Sequence, residues 1–203
     1  MACWSMSIAR ACTIRDDARR RQEMRAESDA DILARVGSGD LAALGVLYDR
    51  YHECVHRLAH RATGTAADAD DITHETFLAL ARMADRYDGR LSARPLVLGI
   101  ASKLALGHRR TLARCGQVLR AFAGVMPSGS APSPEGVASA TEELARFERA
   151  LQGLSPRKRV VILMVDAEGL GGEEVARALD IPLGTVWTRL HHARAEMRRA
   201  LSR

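Results

Sequence analysis

Two groups of side chains in this 203-residue chain have the types and spacing from which chemistry could be built. Asp70, Asp71 and Glu75 put three carboxylates close together in the chain, which superficially resembles a hydrolytic set. His52, His56 and His60 recur every fourth residue, and on a helix each step drifts by only about 40°, so they share a face and form the best metal candidate. Neither group is complete. The carboxylates have no partnered base, glycine loop or pocket signature, and the histidines have no second Cys/His cluster to close a tetrahedron. The histidines also fall off the apolar stripe of their helix, so a solvated row is expected, with a pH or metal sensor as the alternative. No P-loop, G-x-S-x-G, H-E-x-x-H or dinucleotide-binding G-x-G-x-x-G occurs in a suitable context. The expectation is therefore no enzyme, no catalytic residue, no cofactor and no metal, with the acidic cluster serving as a docking surface for a basic partner.

The charge that surrounds these groups is segregated. The chain carries 30 Lys+Arg against 25 Asp+Glu, a formal charge of +5. Residues 28–80 hold nine acids and four arginines, whereas residues 82–120 hold nine bases and only Asp85 and Asp88 as acids. Long-range attraction acts on such patches more than on their sum, so the basic half suits a polyanion. No stretch approaches the roughly 18 uncharged apolar residues of a bilayer span. Residues 1–27 carry six arginines and no apolar block that could act as a signal peptide. A polar leader is expected there, and a cytoplasmic protein without membrane insertion. Cys3, Cys12, Cys54 and Cys115 show no C-x-x-C spacing, which argues for reduced thiols.

The elements that hold these residues are helical. Aromatic content is 4%, β-branched runs are scarce, and Ala, Leu and Arg recur throughout, so an all-α protein is expected. Asp40 opens a helix with Leu41, Leu44, Leu47, Tyr48, Tyr51, Val55 and Leu58 at three-and-four spacing and Gly64 as its stop, after a short helix from about Asp29 to Val36. Asp68 is expected to open the acidic helix, with Ile72, Thr76, Leu80 and Met83 on one face. Pro95 starts a long basic helix that ends in Arg109, Arg110 and Arg114. Gly, Ser and Pro then dominate, so 122–140 is expected as a flexible linker between two small helical domains, 28–121 and 141–203. In the second, Leu144, Phe147, Leu151 and Leu154 form a stripe, and Ser155-Pro156 signals another helix start. Glu173–Leu179, a turn at Asp180-Ile181-Pro182, and Leu183–Arg194 match a helix-turn-helix. The second helix of such a motif reads the major groove. Here its candidates are Gly184, Thr185, Trp187, Thr188, Arg189, His192 and Arg194, with Trp187 set either against the DNA or on a neighbouring helix.

These motifs carry a family resemblance. Asp70-Asp71-Ile72-Thr73-His74-Glu75-Thr76-Phe77 resembles the helix by which bacterial sigma factors of the extracytoplasmic-function group dock on RNA polymerase core. Leu96 through Ile100-Ala101 to Arg109-Arg110 resembles the helix facing the minus-ten element. Leu154-Ser155-Pro156-Arg157-Lys158-Arg159 and Gly184-Thr185-Val186-Trp187-Thr188-Arg189-Leu190-His191-His192-Ala193-Arg194 resemble the minus-35-binding region. The resemblance covers about 28–121 and 141–203 and implies a factor that brings core polymerase to promoter DNA. It implies that Asp70, Asp71, Thr73, His74, Glu75 and Phe77 meet the clamp of the largest subunit, and that Arg90, Arg94, Lys103, Arg109 and Arg110 meet the minus-ten strand. It also implies an anti-sigma factor as a further partner, which no residue here identifies. Because it begins near Ser28, Met24 is a second candidate start. The family's usual Trp, Asn and Asp are replaced by Leu96, Lys103 and Gly107, so a phosphate contact in place of a base-edge contact is expected at Lys103. A helix-turn-helix regulator, or a degenerate sigma-like protein acting without core polymerase, remains the alternative.

Overall fold

The structure is a computed structural model that describes residues 27–87, 92–123 and 140–202, with the side chains of 86, 109–123, 140 and 141 outside that description. Helix α1, Asp29–Gly37, starts at Ser28, whose hydroxyl accepts from the Asp31 N–H. Two aspartates in its first turn complement the helix dipole, and Ile32, Leu33 and Val36 face inward. Helix α2, Leu41–Thr63, is capped by Asp40, whose Oδ1 accepts from the N–H groups of Ala42 at 2.9 Å and Ala43 at 3.2 Å. It ends at Gly64 with φ 95°, a left-handed conformation that glycine adopts without a Cβ penalty.

Helix α3, Ala66–Met83, begins two residues before the expected start. Thr65, not Asp68, is the cap. Its Oγ1 accepts from the Asp68 N–H at 3.2 Å, and Asp68, inside the first turn, sends its carboxylate to His108 Nε2 at 3.0 Å. A short 3₁₀ turn, Ala84–Arg86, follows, and helix α4 runs Ala93–Ala123 with Pro95 in its first turn. Helices α2, α3 and α4 pack on one another through Val55, Leu58, Ile72, Phe77, Leu80, Val97 and Ala101, all buried.

The C-terminal half holds α5, Ala140–Gly153, and α6, Pro156–Ile162, which continues into a π-helical turn, Leu163–Ala167. Helix α7, Gly172–Leu179, and α8, Leu183–Leu201, form the expected helix-turn-helix. Asp180 turns the corner at φ 57°, the left-handed position usually taken by glycine. Only the lower half of the α5 stripe is covered: Leu151 and Leu154 are buried, whereas Leu144 and Phe147 are exposed.

The two halves share one contiguous hydrophobic core. The expected linker falls mostly on residues outside the described ones, as does the leader up to residue 26. Three contacts at the joint between the halves show how closely they pack. Gly99 of α4 meets α7 so closely that a Cβ there would lie 2.8 Å from the Ala178 carbonyl oxygen. Ser102, fully buried, points its Oγ at Met164 Sδ, 3.4 Å away. The carbonyls left open at the α2 C-terminus are taken from the other half: Arg61 O accepts from Gln152 Nε2 at 3.0 Å and Ala62 O from Arg159 Nη1 at 2.7 Å.

Arg159 is 1% exposed and carries that joint. Its guanidinium also donates to the carbonyls of Leu151, Gln152 and Leu154 and to Gln152 Oε1. A guanidinium is tolerated in a core only when its donors are satisfied, and here carbonyls from the ends of two helices do so. Among the described residues, no buried side-chain nitrogen or oxygen lacks a hydrogen-bond partner.

Candidate functional site

The acidic helix α3 divides cleanly. Asp70, Asp71, His74 and Glu75 are exposed, while Thr73 and Phe77, expected beside them, are each 4% exposed and belong to the interior. Thr73 Oγ1 donates to the Ala69 carbonyl at 2.7 Å, and the Phe77 ring lies tilted on Tyr48 with centroids 4.8 Å apart. The reason is helical phase: 69, 73, 76, 77 and 80 fall on the face turned to α2 and α4. Leu78, which sequence reasoning passed over, is 57% exposed one turn beyond Glu75. Its spacing from Asp71 and Glu75 was the available signal for an apolar contact within the acidic face.

The histidine row is more engaged than a solvated stripe. His52 stacks on Tyr48 with ring planes 5° apart and donates Nδ1–H to the Tyr48 carbonyl. His56 Nε2 lies 3.0 Å from Asp70 Oδ1, and the His60 ring stacks beside it with centroids 6.4 Å apart. One member of the row, His56, thus touches the acidic face through Asp70. Among the described residues, no group of three or more His, Cys, Asp or Glu is arranged to hold a metal ion.

On the basic helix, Lys103 is exposed and Leu96 is nearly buried. Gly107 has open space where a Cβ would project. Arg109 and Arg110 lie on the backbone of α4 with side chains outside the description, and Arg90 is outside the described residues altogether. Arg94 is not presented freely. Its Nη1 donates to the Glu168 carbonyl at 2.7 Å and its Nη2 to Glu168 Oε2 at 2.8 Å.

Gly184, the second residue of helix α8, has nothing within 4 Å of where a Cβ would project. Thr188 donates its hydroxyl to the Gly184 carbonyl at 2.8 Å, and Thr185 is half-buried. Trp187 packs on a neighbouring helix, its ring lying on Gly172 at the start of α7, and stays 51% exposed. His192 is exposed, edge-on to His191 with centroids 5.7 Å apart. Arg189 lies beside Arg157, and burial followed by that neighbouring charge pushes its pKa down from the usual guanidinium value. Two guanidiniums that raise each other's cost form a place where an anion lowers it. The Arg194 guanidinium closes on both carboxylate oxygens of Asp166, at 2.5 and 3.0 Å, which raises its pKa.

An exposed acidic face thus lies on one half and a helix-turn-helix on the other, on one all-helical frame. The described residues contain no helix long and apolar enough to cross a membrane. The Sigma-70 region 2 family matches residues 47–115 and the Sigma-70, region 4 family matches residues 144–197. The chain is 32% identical over 179 residues to ECF RNA polymerase sigma factor SigM of Mycobacterium tuberculosis, covering 86% of this chain and 85% of that one. It is 30% identical over 170 residues to SigE of Mycolicibacterium smegmatis, covering 82% of this chain but 65% of that longer relative. CnrH, solved in complex with the cytosolic domain of CnrY, shares the fold with a TM-score of 0.64 at 24% identity, over 87% of this chain and 98% of CnrH. RpoE from Bartonella quintana, solved with the anti-sigma factor NepR, gives a TM-score of 0.60 at 20% identity, over 76% and 94%. The chain belongs to the extracytoplasmic-function group of sigma-70 factors, which are not enzymes and direct promoter-specific transcription with core RNA polymerase.

Proposed function

We propose that Asp70, Asp71 and Glu75, with Leu78 among them, dock the chain on the clamp of the largest polymerase subunit, and that α8 reads the minus-35 element. The observation that carries this reading is the surface of α3, where Asp70, Asp71 and Glu75 face outward with His74 while Ile72, Thr73, Thr76 and Phe77 are buried. Charge complementarity there orients the encounter and speeds it. In the second half, Gly184, Thr185, Trp187 and Thr188 stand at the groove, with Arg189 and His192 toward phosphates. Lys103, with Arg90, Arg109 and Arg110, holds the separated minus-ten strand through phosphates. Residues 28–121 and 141–203 act as the two modules and the stretch between them as a tether, so that binding one raises the effective concentration of the other. Strand opening is driven by binding energy, in the cytoplasm where polymerase and chromosome meet. An anti-sigma factor, such as RpoE of Bartonella quintana carries, is the expected inhibitory partner.

The test is comigration of the purified chain with core polymerase, followed by run-off transcription from candidate promoters. Retention on core with promoter-selective transcripts is expected. Tight duplex binding that is indifferent to core, with no transcript, overturns the reading in favour of a conventional helix-turn-helix regulator.

A further inference from the structure

Glu168 lies in the turn before α7, is 4% exposed, and was not singled out by any motif. Its carboxylate lies between two arginines of the other half. Arg94 Nη2 reaches it at 2.8 Å, whereas Arg57 Nε and Nη2 lie at 3.4 and 3.5 Å. The side chains of Arg57 and Arg94 stay 47% and 41% exposed, while that of Glu168 is 2% exposed. The buried member of this triad is thus the acid, brought in from the C-terminal half, and it closes well on only one guanidinium. Two arginines held side by side form a fork that fits a tetrahedral phosphate, whose oxygens can serve both planes at once.

We infer that Arg57 and Arg94 form a binding site for a backbone phosphate of the opened promoter strand, and that Glu168 fills that site whenever the two halves are packed together. Arg57 is new to the binding surface. No resemblance assigns it, and it lies on α2 rather than on the basic helix. The packed arrangement is a form in which Glu168 competes with DNA, and the close contact of Gly99 with Ala178 belongs to the same joint. Separating the halves removes the carboxylate and the contact together. The inference rests on the proposed function for the source of the phosphate, but the site itself can be measured without polymerase.

The experiment uses the full chain and a fluorescent single-stranded DNA of mixed sequence, with affinity followed against salt. Glu168→Gln is expected to bind about three- to tenfold more tightly, with a salt slope steeper by about 0.7, as one further single-strand phosphate contact gives. Glu142→Gln, which makes the same charge change at an exposed site on α5, controls for net charge and is expected to gain less than twofold, about the size of a screened long-range effect. Gly99→Ala keeps Glu168 but forces α7 away, and since alanine favours helix more than glycine, α4 itself is not weakened. It is expected to reproduce the gain and to enlarge the radius of gyration in solution scattering. Adding Arg57→Ala to Glu168→Gln is expected to cancel the gain and the extra slope. Unchanged binding in both Glu168→Gln and Gly99→Ala overturns the inference, as does a gain that survives Arg57→Ala. Failure of the chain to comigrate with core polymerase would remove the proposed function and leave these single-strand measurements standing.

Discussion

Trp187 of the reading helix rests on Gly172 so tightly that a Cβ on the glycine would lie 2.5 Å from Cζ2 of the indole. The contact joins the first residue of α7 to the indole on α8, so the glycine fixes how far the indole protrudes. Gly172→Ala should cost about 1–3 kcal/mol in thermal or urea unfolding, the usual range for overpacking, and should weaken minus-35 duplex binding. Adding Trp187→Ala to it should restore stability but not binding. Stability unchanged in the single variant would show that the indole has somewhere else to go.

Arg159 should be among the least replaceable residues of the chain. Arg159→Met strips donors from carbonyls of Leu151, Leu154 and Ala62, and each buried group left unsatisfied costs about 1–3 kcal/mol. A loss of at least about 3 kcal/mol in urea unfolding is expected. Arg159→Lys should recover little, because an ammonium cannot spread five donors across one plane.

The acidic face should behave as a unit separate from the core of its own helix. Asp70→Lys with Asp71→Lys should weaken association with core polymerase by about tenfold or more, a size expected for like charges set against a basic partner. Unfolding temperature should hardly move, since both residues are exposed. Leu78→Asp should also weaken association, through lost apolar contact. Thr73→Val, by contrast, should alter stability and leave association as it was.

Arg189 beside Arg157 should act on phosphate. Arg189→Ala is expected to lower the salt slope of promoter duplex binding by about 0.9, the value for one duplex phosphate contact. A loss of about 1–3 kcal/mol confined to one base-pair position, with the slope intact, would place it on a base edge instead.

The joint at the start of α2 predicts an acid response. Arg35 donates to Asp40 Oδ2 from Nε at 3.0 Å and from Nη2 at 2.6 Å. That ion pair, followed by the Ala43 N–H, holds the carboxyl below its ordinary value of 3.8. A lowered folded-state value stabilises the fold above the unfolded pKa and ceases to do so as pH falls through the folded one. Arg35→Met should therefore flatten the fall of Tm as the pH drops below 3.8, leaving the neutral plateau to shift by a constant amount.

The local features could be read from the residues alone because they depend on neighbours in the chain. The Asp40 cap, the Gly64 stop, Pro95 in a first turn and the turn at Asp180 follow from backbone preferences of single residues. The family assignment was legible for the same reason, since its motifs are continuous stretches of one helix each. That Thr73 and Phe77 are buried was not legible, because a motif gives spacing without phase: which side of α3 faces α2 is set by packing. The pairing of Arg194 with Asp166 could not be read from the sequence, because the turn between α6 and α7 brings the two together. Nothing in the sequence marks Arg57 or Glu168, which are paired across 111 residues of chain.

The helical class, the order of helices, several of their caps and the charge segregation were thus determined by the sequence itself, through propensities and periodicities that act over a few residues. Only the tertiary structure decided that the halves share a core, that Arg159 fills the open end of a distant helix, and that Glu168 lies between two arginines. Those contacts depend on the distances between packed helices, and a buried charge finds its partners only once the surrounding surfaces have closed and excluded water.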